Sequence, residues 1–441
     1  MAKKKSKRRL KKSVRRGCAV ILALPILFGL GYFLTRYVRY SGLTGQPGPS
    51  ALSDPLRMSR DSALLADLGE RIDGLMHQPL RIDTATIALE VCDLRTGATV
   101  YSRHADRLVA PASCMKLLTA TTALNLLGRH HAYVTQVVGR GEQSGSVFRG
   151  DVVLQLDDDP MLESLEPLVD AIRQHGIRSI EGDIVLDLMR SDTLRAHPTA
   201  AVWDIPYNRL PILLKGRKRV EQDLRYLLAA KGITWTGDGF AEAAPRTDTR
   251  PVTLIYRHET PLADVLAPML IHSSNIKADA LCGHIESVKN RQFGLNLSGS
   301  RWLLAQAQII ARQMGGSADG FVVNDGSGLS PDNRLTTHFL VQLLCYAYAH
   351  GEMWPVLIDE ALATPGHPER HGSLLGRMSA PKFRQKVFVK TGTLTTRALS
   401  SLAGYAQTAN GRWLVFAVVN EDSPVMESRI FQDRLCAELV Q

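Results

Sequence analysis

Polar and apolar positions fall along this chain in blocks whose period changes from helical to strand-like and back. Leu64, Leu65, Leu68, Ile72 and Leu75 recur at helical spacing and predict a helix over residues 62–76. Residues 86–92 and 98–102 are strand-like and flank a turn at 93–97, which predicts a hairpin. Pro111 then opens a helix that runs through Leu117, Leu118, Ala120, Ala123, Leu124 and Leu127 and stops at Gly128. It is apolar on nearly all sides, the signature of a buried central helix.

Residues 133–250 read as an inserted unit. It holds a partial repeat, Gly150-Asp151-Val152-Val153-Leu154 and Gly182-Asp183-Ile184-Val185-Leu186, each a turn leading into a strand. A helix is expected over 165–174 and another over 219–231, ending at Gly232. The last third returns to strands at 386–390, 398–408 and 412–420, with an Asn410-Gly411 hairpin turn and a closing helix near Val425. Two early strands and three late ones make one antiparallel sheet flanked by helices, an α/β (α+β) fold. Residues 61–132 and 251–441 then form the main domain, and the insertion interrupts it.

Charge changes the picture only at the N-terminus. Residues 1–16 hold ten Lys and Arg and no acid; removing them from the chain's 53 Lys and Arg leaves 43, equal to its 43 Asp and Glu. A nucleic-acid domain carries its basic excess on the folded part, so no nucleic-acid partner is expected. The uncharged residues 17–35 would span about 28 Å as a helix, close to the hydrocarbon thickness. Arg36, Tyr37, Arg39 and Tyr40 follow where a signal peptide would have a small-residue cleavage site. The expectation is a cytoplasmic basic segment at 1–16, a single-pass inner-membrane anchor at 17–35, a Gly/Pro/Ser-rich linker at 36–60 and the remainder outside the cytoplasm. Beyond the anchor, Cys92, Cys114, Cys282, Cys345 and Cys436 are scattered, so neither a metal site nor a disulfide framework is indicated. They read as small buried hydrophobes, and no cofactor is expected.

Three short segments carry candidate chemistry. Ser113 and Lys116 are three apart at a helix start, within reach of each other. A serine hydroxyl needs a base to become a nucleophile, and burial or a neighbouring cation such as Lys390 can lower a lysine's pKa enough for that task. Ser273 and Asn275 alternate around Ser274, so in an extended or tight-turn segment both side chains can face one site. Lys390, at a strand end, offers a cation for a substrate carboxylate with Thr391 beside it, and Gly392 lets a substrate backbone lie close.

Taken in order, Ser113-Cys114-Met115-Lys116, Ser273-Ser274-Asn275 and Lys390-Thr391-Gly392 resemble the S-x-x-K, S-x-N and K-T-G set of penicillin-recognising serine acyltransferases. The context resembles more narrowly the class C low-molecular-mass penicillin-binding proteins, the D-alanyl-D-alanine carboxypeptidase/endopeptidase family, over about residues 80–425. Pro111 to Lys116 is similar to its P-A-S-x-x-K, Asp325-Gly326-Ser327-Gly328-Leu329-Ser330 to its D-G-S-G-L-S, and Lys390 to Leu394 to its K-T-G-T-L. Leu402-Ala403-Gly404-Tyr405, Ile180-Glu181-Gly182-Asp183 and Trp203-Asp204-Ile205-Pro206-Tyr207-Asn208 also have family counterparts.

The resemblance implies a transpeptidase-like fold with an inserted smaller α/β domain, and a peptidase of peptidoglycan stem peptides inhibited by β-lactams. It implies that Ser113 is acylated with Lys116 as base, that Ser273 and Asn275 assist, and that Lys390 binds the terminal carboxylate. The N–H groups of Ser113 and Thr393 would form the oxyanion hole, and Asp159, in Asp157-Asp158-Asp159-Pro160, would grip a diamino-acid side chain. Family members are typically exported with a cleaved signal, and fuller ones carry a third domain after W-D-x-P-Y-N; here about ten residues separate Asn208 from Arg219. A serine β-lactamase is the competing enzyme, but none of Glu286, Glu352, Glu360 or Glu369 has Asn three residues on, as E-x-x-N would require. A catalytically idle wall-binding protein would have no need of the intact serines and lysines.

Overall fold

The computed structural model describes residues 55–79, 81–188, 216–237, 239–241 and 249–441. The expected basic segment, the anchor and nearly all of the linker lie outside these residues, as does the W-D-x-P-Y-N segment. Among the described residues no helix is long and apolar enough to cross a membrane. The chain divides between Leu64 and Leu65 into two units. Of the first, the described part is the opening of helix α1 (Pro55–Leu75). This helix begins inside the segment read as linker, because Pro55 takes the first helical position and no glycine follows until Gly69.

The second unit is built on an antiparallel five-stranded sheet. Strands β1 (Ile87–Asp93) and β2 (Thr99–Arg103) form the expected hairpin. Helix α2 (Met115–Leu127) follows a 3-10 turn at Ala112–Cys114 and is buried nearly throughout. The inserted unit contributes β3 (Ala132–Ser144), β4 (Val147–Leu156), α3 (Glu166–Gln174), β5 (Ser179–Glu181), β6 (Ile184–Leu188), α4 (Arg217–Ala230), β7 (Thr234–Trp235), β8 (Phe240–Ala241) and β9 (Val252–Pro261). The chain continues with α5 (Leu262–Ile271), α6 (Asn275–Phe293), α7 (Gly299–Gln313) and α8 (Thr337–Ala349). It closes with β10 (Val387–Leu394), β11 (Leu399–Gln407), β12 (Trp413–Asn420) and α9 (Val425–Leu439).

The strand order β10-β11-β12-β1-β2 joins the two early strands and the three late ones in one sheet, as the pattern predicts. Both faces of this sheet are covered, so β1 is buried at every position and reads as a continuous apolar run rather than an alternating one. Along β12, Val415 and Ala417 face the core shared with α2, α5, α6, α7 and α8, while Leu414, Phe416 and Val418 face α1 and α9. The first core holds the candidate nucleophile helix. The second backs the sheet against deformation.

The insertion differs from expectation at its borders. Strand β9 pairs along β3, from Ala132↔Pro261 to Arg140↔Val252, so the inserted sheet runs to Pro261 rather than ending at residue 250. Its two ends meet where the N–H of Leu262 donates to the carbonyl of His131 at 2.8 Å. An insertion whose ends are adjacent leaves the host sheet undisturbed. The Gly-Asp repeat has a structural meaning: β4 and β6 are parallel neighbours in the register Val152↔Ile184, and Asp151 Oδ1 accepts the N–H of Asp183 at 2.9 Å. Strand β4 runs through Gly150 instead of starting there, since its partner β3 continues to Ser144.

Candidate active site

Ser113 lies in the 3-10 turn ahead of α2, half-buried, and Lys116 is in the first turn of the helix with no exposed surface. The turn is bolted to the sheet. Cys114 Sγ donates to the Lys390 carbonyl at 3.3 Å, and Ser401 Oγ donates to the Pro111 carbonyl at 2.9 Å. Ala112 holds a left-handed φ of 47°, a strained conformation for a residue with a Cβ and one that collects at functional sites. Gly392 makes the close approach possible: a Cβ there would stand 2.9 Å from the Ser113 nitrogen and 2.2 Å from Ser401 Oγ.

Lys116 Nζ donates to Ser113 Oγ at 2.9 Å, to Asn275 Oδ1 at 2.7 Å and to the Ser327 carbonyl at 2.6 Å. The last two partners can only accept, so they hold two N–H bonds of the amine in either protonation state. When the amine is neutral, its lone pair is the valence left facing the Ser113 hydroxyl. That is the geometry of a general base. Burial pushes the lysine pKa down from 10.5, opposed by the carboxylates of Asp279 and Asp325. Burial, and then the neighbouring Asp325, push Asp279 upward.

Asn275 opens α6, and Ser274 caps that helix by accepting the Lys277 N–H at 3.3 Å. Ser273 precedes the cap in left-handed backbone, φ 57°. The segment is therefore a tight turn into a helix, not an extended strand. The D-G-S-G-L-S run forms a loop organised by Asp325, whose oxygens accept from the N–H groups of Gly328 and Ser330 at 2.6 Å each and from Asn333 Nδ2 at 3.1 Å. Thr119 Oγ1 of α2 donates to the Gly326 carbonyl at 2.6 Å and ties this loop to the nucleophile helix.

On β10, Lys390 is fully buried and its ammonium donates to the Thr391 carbonyl at 2.7 Å. Its pKa is pushed down to about 7 by burial and then by the charge of Lys116. Two buried lysines side by side cannot both stay protonated at neutral pH without a large cost. Lys390 thus contributes to the electrostatics of Lys116, and its amine is held by the Thr391 carbonyl in this structure. Thr391 Oγ1 donates to Ser373 Oγ at 2.7 Å, and Thr393 is half-buried. β10 is an edge strand. Val389 exchanges both backbone hydrogen bonds with Ala363 outside the sheet, so Thr391 and Thr393, two and four residues on, present their backbone groups the same way. The Thr393 N–H and the nearby Ser113 N–H are suited to an oxyanion hole.

Asp159 is not open to a substrate. It is 1% exposed, Oδ1 accepts the Met161 N–H at 2.8 Å, and Oδ2 accepts from the Thr260 hydroxyl, so it shapes its own loop. That loop reaches the site indirectly, through the 3.3 Å bond from Lys277 Nζ to the Pro160 carbonyl. Sequence reasoning missed Asp279, Asp325 and the Ser327 carbonyl as partners of Lys116. The signal for Asp279 was its place one turn after Asn275; the others stood in the D-G-S-G-L-S run. Among the described residues the cysteines are free, with Cys92, Cys114, Cys282 and Cys436 buried and Cys345 partly so.

The chain as a whole is similar to known proteins. The chain is 24% identical over 480 residues to a D-alanyl-D-alanine carboxypeptidase of Actinomadura sp. (strain R39), covering 88% of this chain and 87% of that one. It is 28% identical over 394 residues to a carboxypeptidase of Mycobacterium tuberculosis, covering 81% and 80%. Among solved structures it resembles penicillin-binding protein 4 of Haemophilus influenzae, with a TM-score of 0.62 at 16% identity over 84% of this chain and 99% of that one. A predatory endopeptidase of Bdellovibrio bacteriovorus gives 0.55 at 16% identity over 82% and 94%. These structural likenesses establish the shared fold. The match to the family profile covers residues 68–207 and 215–436. By that match, and with the candidate serine, its buried lysine and the edge strand assembled as described, the chain belongs to the D-Ala-D-Ala carboxypeptidase 3 (S13) family.

Proposed function

We propose that this protein is a serine D-alanyl-D-alanine carboxypeptidase/endopeptidase of peptidoglycan stem peptides, and that β-lactams acylate it at Ser113. The observation that carries the reading is the fixed pair of acceptors on Lys116, Asn275 Oδ1 and the Ser327 carbonyl, which leaves its lone pair for the Ser113 hydroxyl. In the first step Lys116 takes the hydroxyl proton and Ser113 Oγ bonds to the carbonyl carbon of the D-alanyl-D-alanine peptide. The oxyanion is held by the N–H groups of Ser113 and Thr393, a term worth about 3–4 kcal/mol per donor. Collapse breaks the C–N bond, and the leaving amine receives a proton passed from Lys116 by way of Ser273. Water then adds to the ester carbonyl as Lys116 takes its proton; the bond from the acyl carbon to Ser113 Oγ breaks, Lys116 returns the proton to Oγ, and the shortened peptide leaves as its carboxylic acid. A β-lactam follows the first step, but its amine stays tethered to the acyl group.

Intact-mass measurement after treatment with penicillin should show a single adduct, absent in Ser113→Ala. An adduct that persists in that variant overturns the assignment. The N-terminal sequence supports a further part of the reading, an anchor at 17–35 that holds the catalytic unit outside the cytoplasm. The protein should then stay with the membrane after a high-salt wash and be digested by protease added outside the inner membrane. A soluble form starting near residue 41 would show a cleaved signal instead.

A further inference from the structure

Lys390 is buried and its amine is held by the Thr391 carbonyl, so a second cation beside β10 would strengthen capture of a substrate's carboxylate end. Thr391 and Thr393 share the face of β10 opposite Lys390 and Gly392, because side chains alternate along a strand. Against that face packs α9, and from its second turn Arg429 Nη2 donates to Thr393 Oγ1 at 3.2 Å. Arg429 is half-buried, and the acceptor it meets there is a neutral hydroxyl.

The charges around it leave a surplus. Asp433, one turn further along α9, already takes two hydrogen bonds from Arg377, at 3.0 Å from Nε and 2.7 Å from Nη2. Arg377 also donates to the Arg429 carbonyl at 3.4 Å and to Gln432 Oε1 at 3.3 Å, and so is fixed on Asp433. Two guanidinium groups therefore share one carboxylate. Burial and the charge of Arg377 push the Arg429 pKa below its ordinary value, only partly offset by Asp433. An anion arriving beside Thr393 would neutralise this surplus.

The position along the strand fits a terminal carboxylate. With the scissile carbonyl oxygen at the Thr393 N–H, a peptide lying against the edge of β10 places its next carbonyl group about 3.4 Å further along the strand. In a D-alanyl-D-alanine substrate that next group is the terminal carboxylate, and in a penicillin a carboxylate also follows the ring nitrogen. A planar guanidinium with five donors suits it better than an ammonium.

We propose that Arg429, together with the Thr393 hydroxyl, binds the terminal carboxylate of the substrate and makes the enzyme selective for free peptide ends. The proposal rests on the reading given under Proposed function. Its test compares an N-acylated D-alanyl-D-alanine peptide bearing a free carboxylate with the same peptide amidated at its C-terminus, on the full chain and on Arg429→Ala, Arg429→Gln and Arg429→Lys. For the free acid, the alanine and glutamine variants should raise KM about tenfold or more, with kcat changed far less, since a charge-assisted hydrogen bond is lost. The preference for acid over amide should collapse, and lysine should restore part of it.

Acylation by penicillin should slow in the same variants, while acylation by penicillin methyl ester should not follow. Equal losses on acid and amide, or no loss on either, would overturn the proposal. The glutamine variant keeps the bulk of the side chain and supplies the comparison if alanine disturbs folding. If the wild-type chain forms no penicillin adduct, the functional reading fails and takes this proposal with it. A reactive wild type with an unaltered acid preference in the variants removes the proposal alone.

Discussion

At the scale of residues, the site turns on how many partners each polar atom has and on which of them can only accept. Lys116 is useful as a base because two acceptors claim two of its N–H bonds and burial lowers its affinity for the third proton. Asp279 works against this, since its carboxylate favours the ammonium form. Asp279→Asn should therefore shift the rising limb of the acylation pH profile to lower pH, by about one unit for a close buried charge. In both proteins that limb should lie below 10.5, the ordinary lysine value. Penicillin acylation rates measured from pH 5 to 9, as a range of about four units, decide it: a limb that moves upward or stays put removes Asp279 from the control of Lys116.

At the scale of elements, the candidate nucleophile turn and its helix are held against β10, β11 and the D-G-S-G-L-S loop by side chains that donate to backbone carbonyls and by glycines at the close approaches. Gly328 has a left-handed φ of 82°, and a Cβ there would stand 1.9 Å from the Ala112 carbonyl oxygen. Gly328→Ala must push apart the loop that supplies the Ser327 carbonyl and the turn that carries Ser113. The expected cost is about 3 kcal/mol in stability from overpacking and backbone strain. Acylation should fall far more than binding of a non-reactive peptide. Denaturant unfolding and intact-mass kinetics check both parts; a stable variant with ordinary acylation would mean that the loop does not set the base geometry.

At the scale of the whole molecule, the sheet of early and late strands makes a floor covered on both faces, and the candidate site lies at its β10 edge. Holding Lys390 and Lys116 together within that floor costs stability. Lys390 has a folded pKa near 7 against 10.5 in the open chain. Between those values the unfolded chain binds the extra proton, so this contribution to stability is full above 10.5 and is lost as pH falls through 7. Wild-type thermal stability should have a component that rises from pH 7 toward 9, as a rough span. Lys390→Met should abolish that component, raise Tm at pH 7 by about 2 °C or more and impair acylation. A lower Tm at pH 7 in a folded Lys390→Met variant would show that the buried amine stabilises the sheet.

The sequence by itself determined most of the architecture, because hydrophobic period and turn residues are local. The hairpin at β1 and β2, the buried helix α2, the Asn410-Gly411 turn and the closing sheet follow from neighbours along the chain. Ser113, Lys116, Asn275 and the K-T-G-T strand were legible for a related reason: their spacing identifies them before any fold is known. Tertiary structure decided what no local pattern contains. The extent of the insertion depended on β9 pairing with β3, more than a hundred residues away. How deeply Asp159 and Lys390 are buried depended on Thr260, Met161 and the packing around β10. The same holds for Arg429, an ordinary helical arginine in the sequence. Its meaning comes from meeting Thr393 across 36 residues while Asp433 is occupied by Arg377. Charge and burial are properties of neighbours in space, and only the folded chain chooses those.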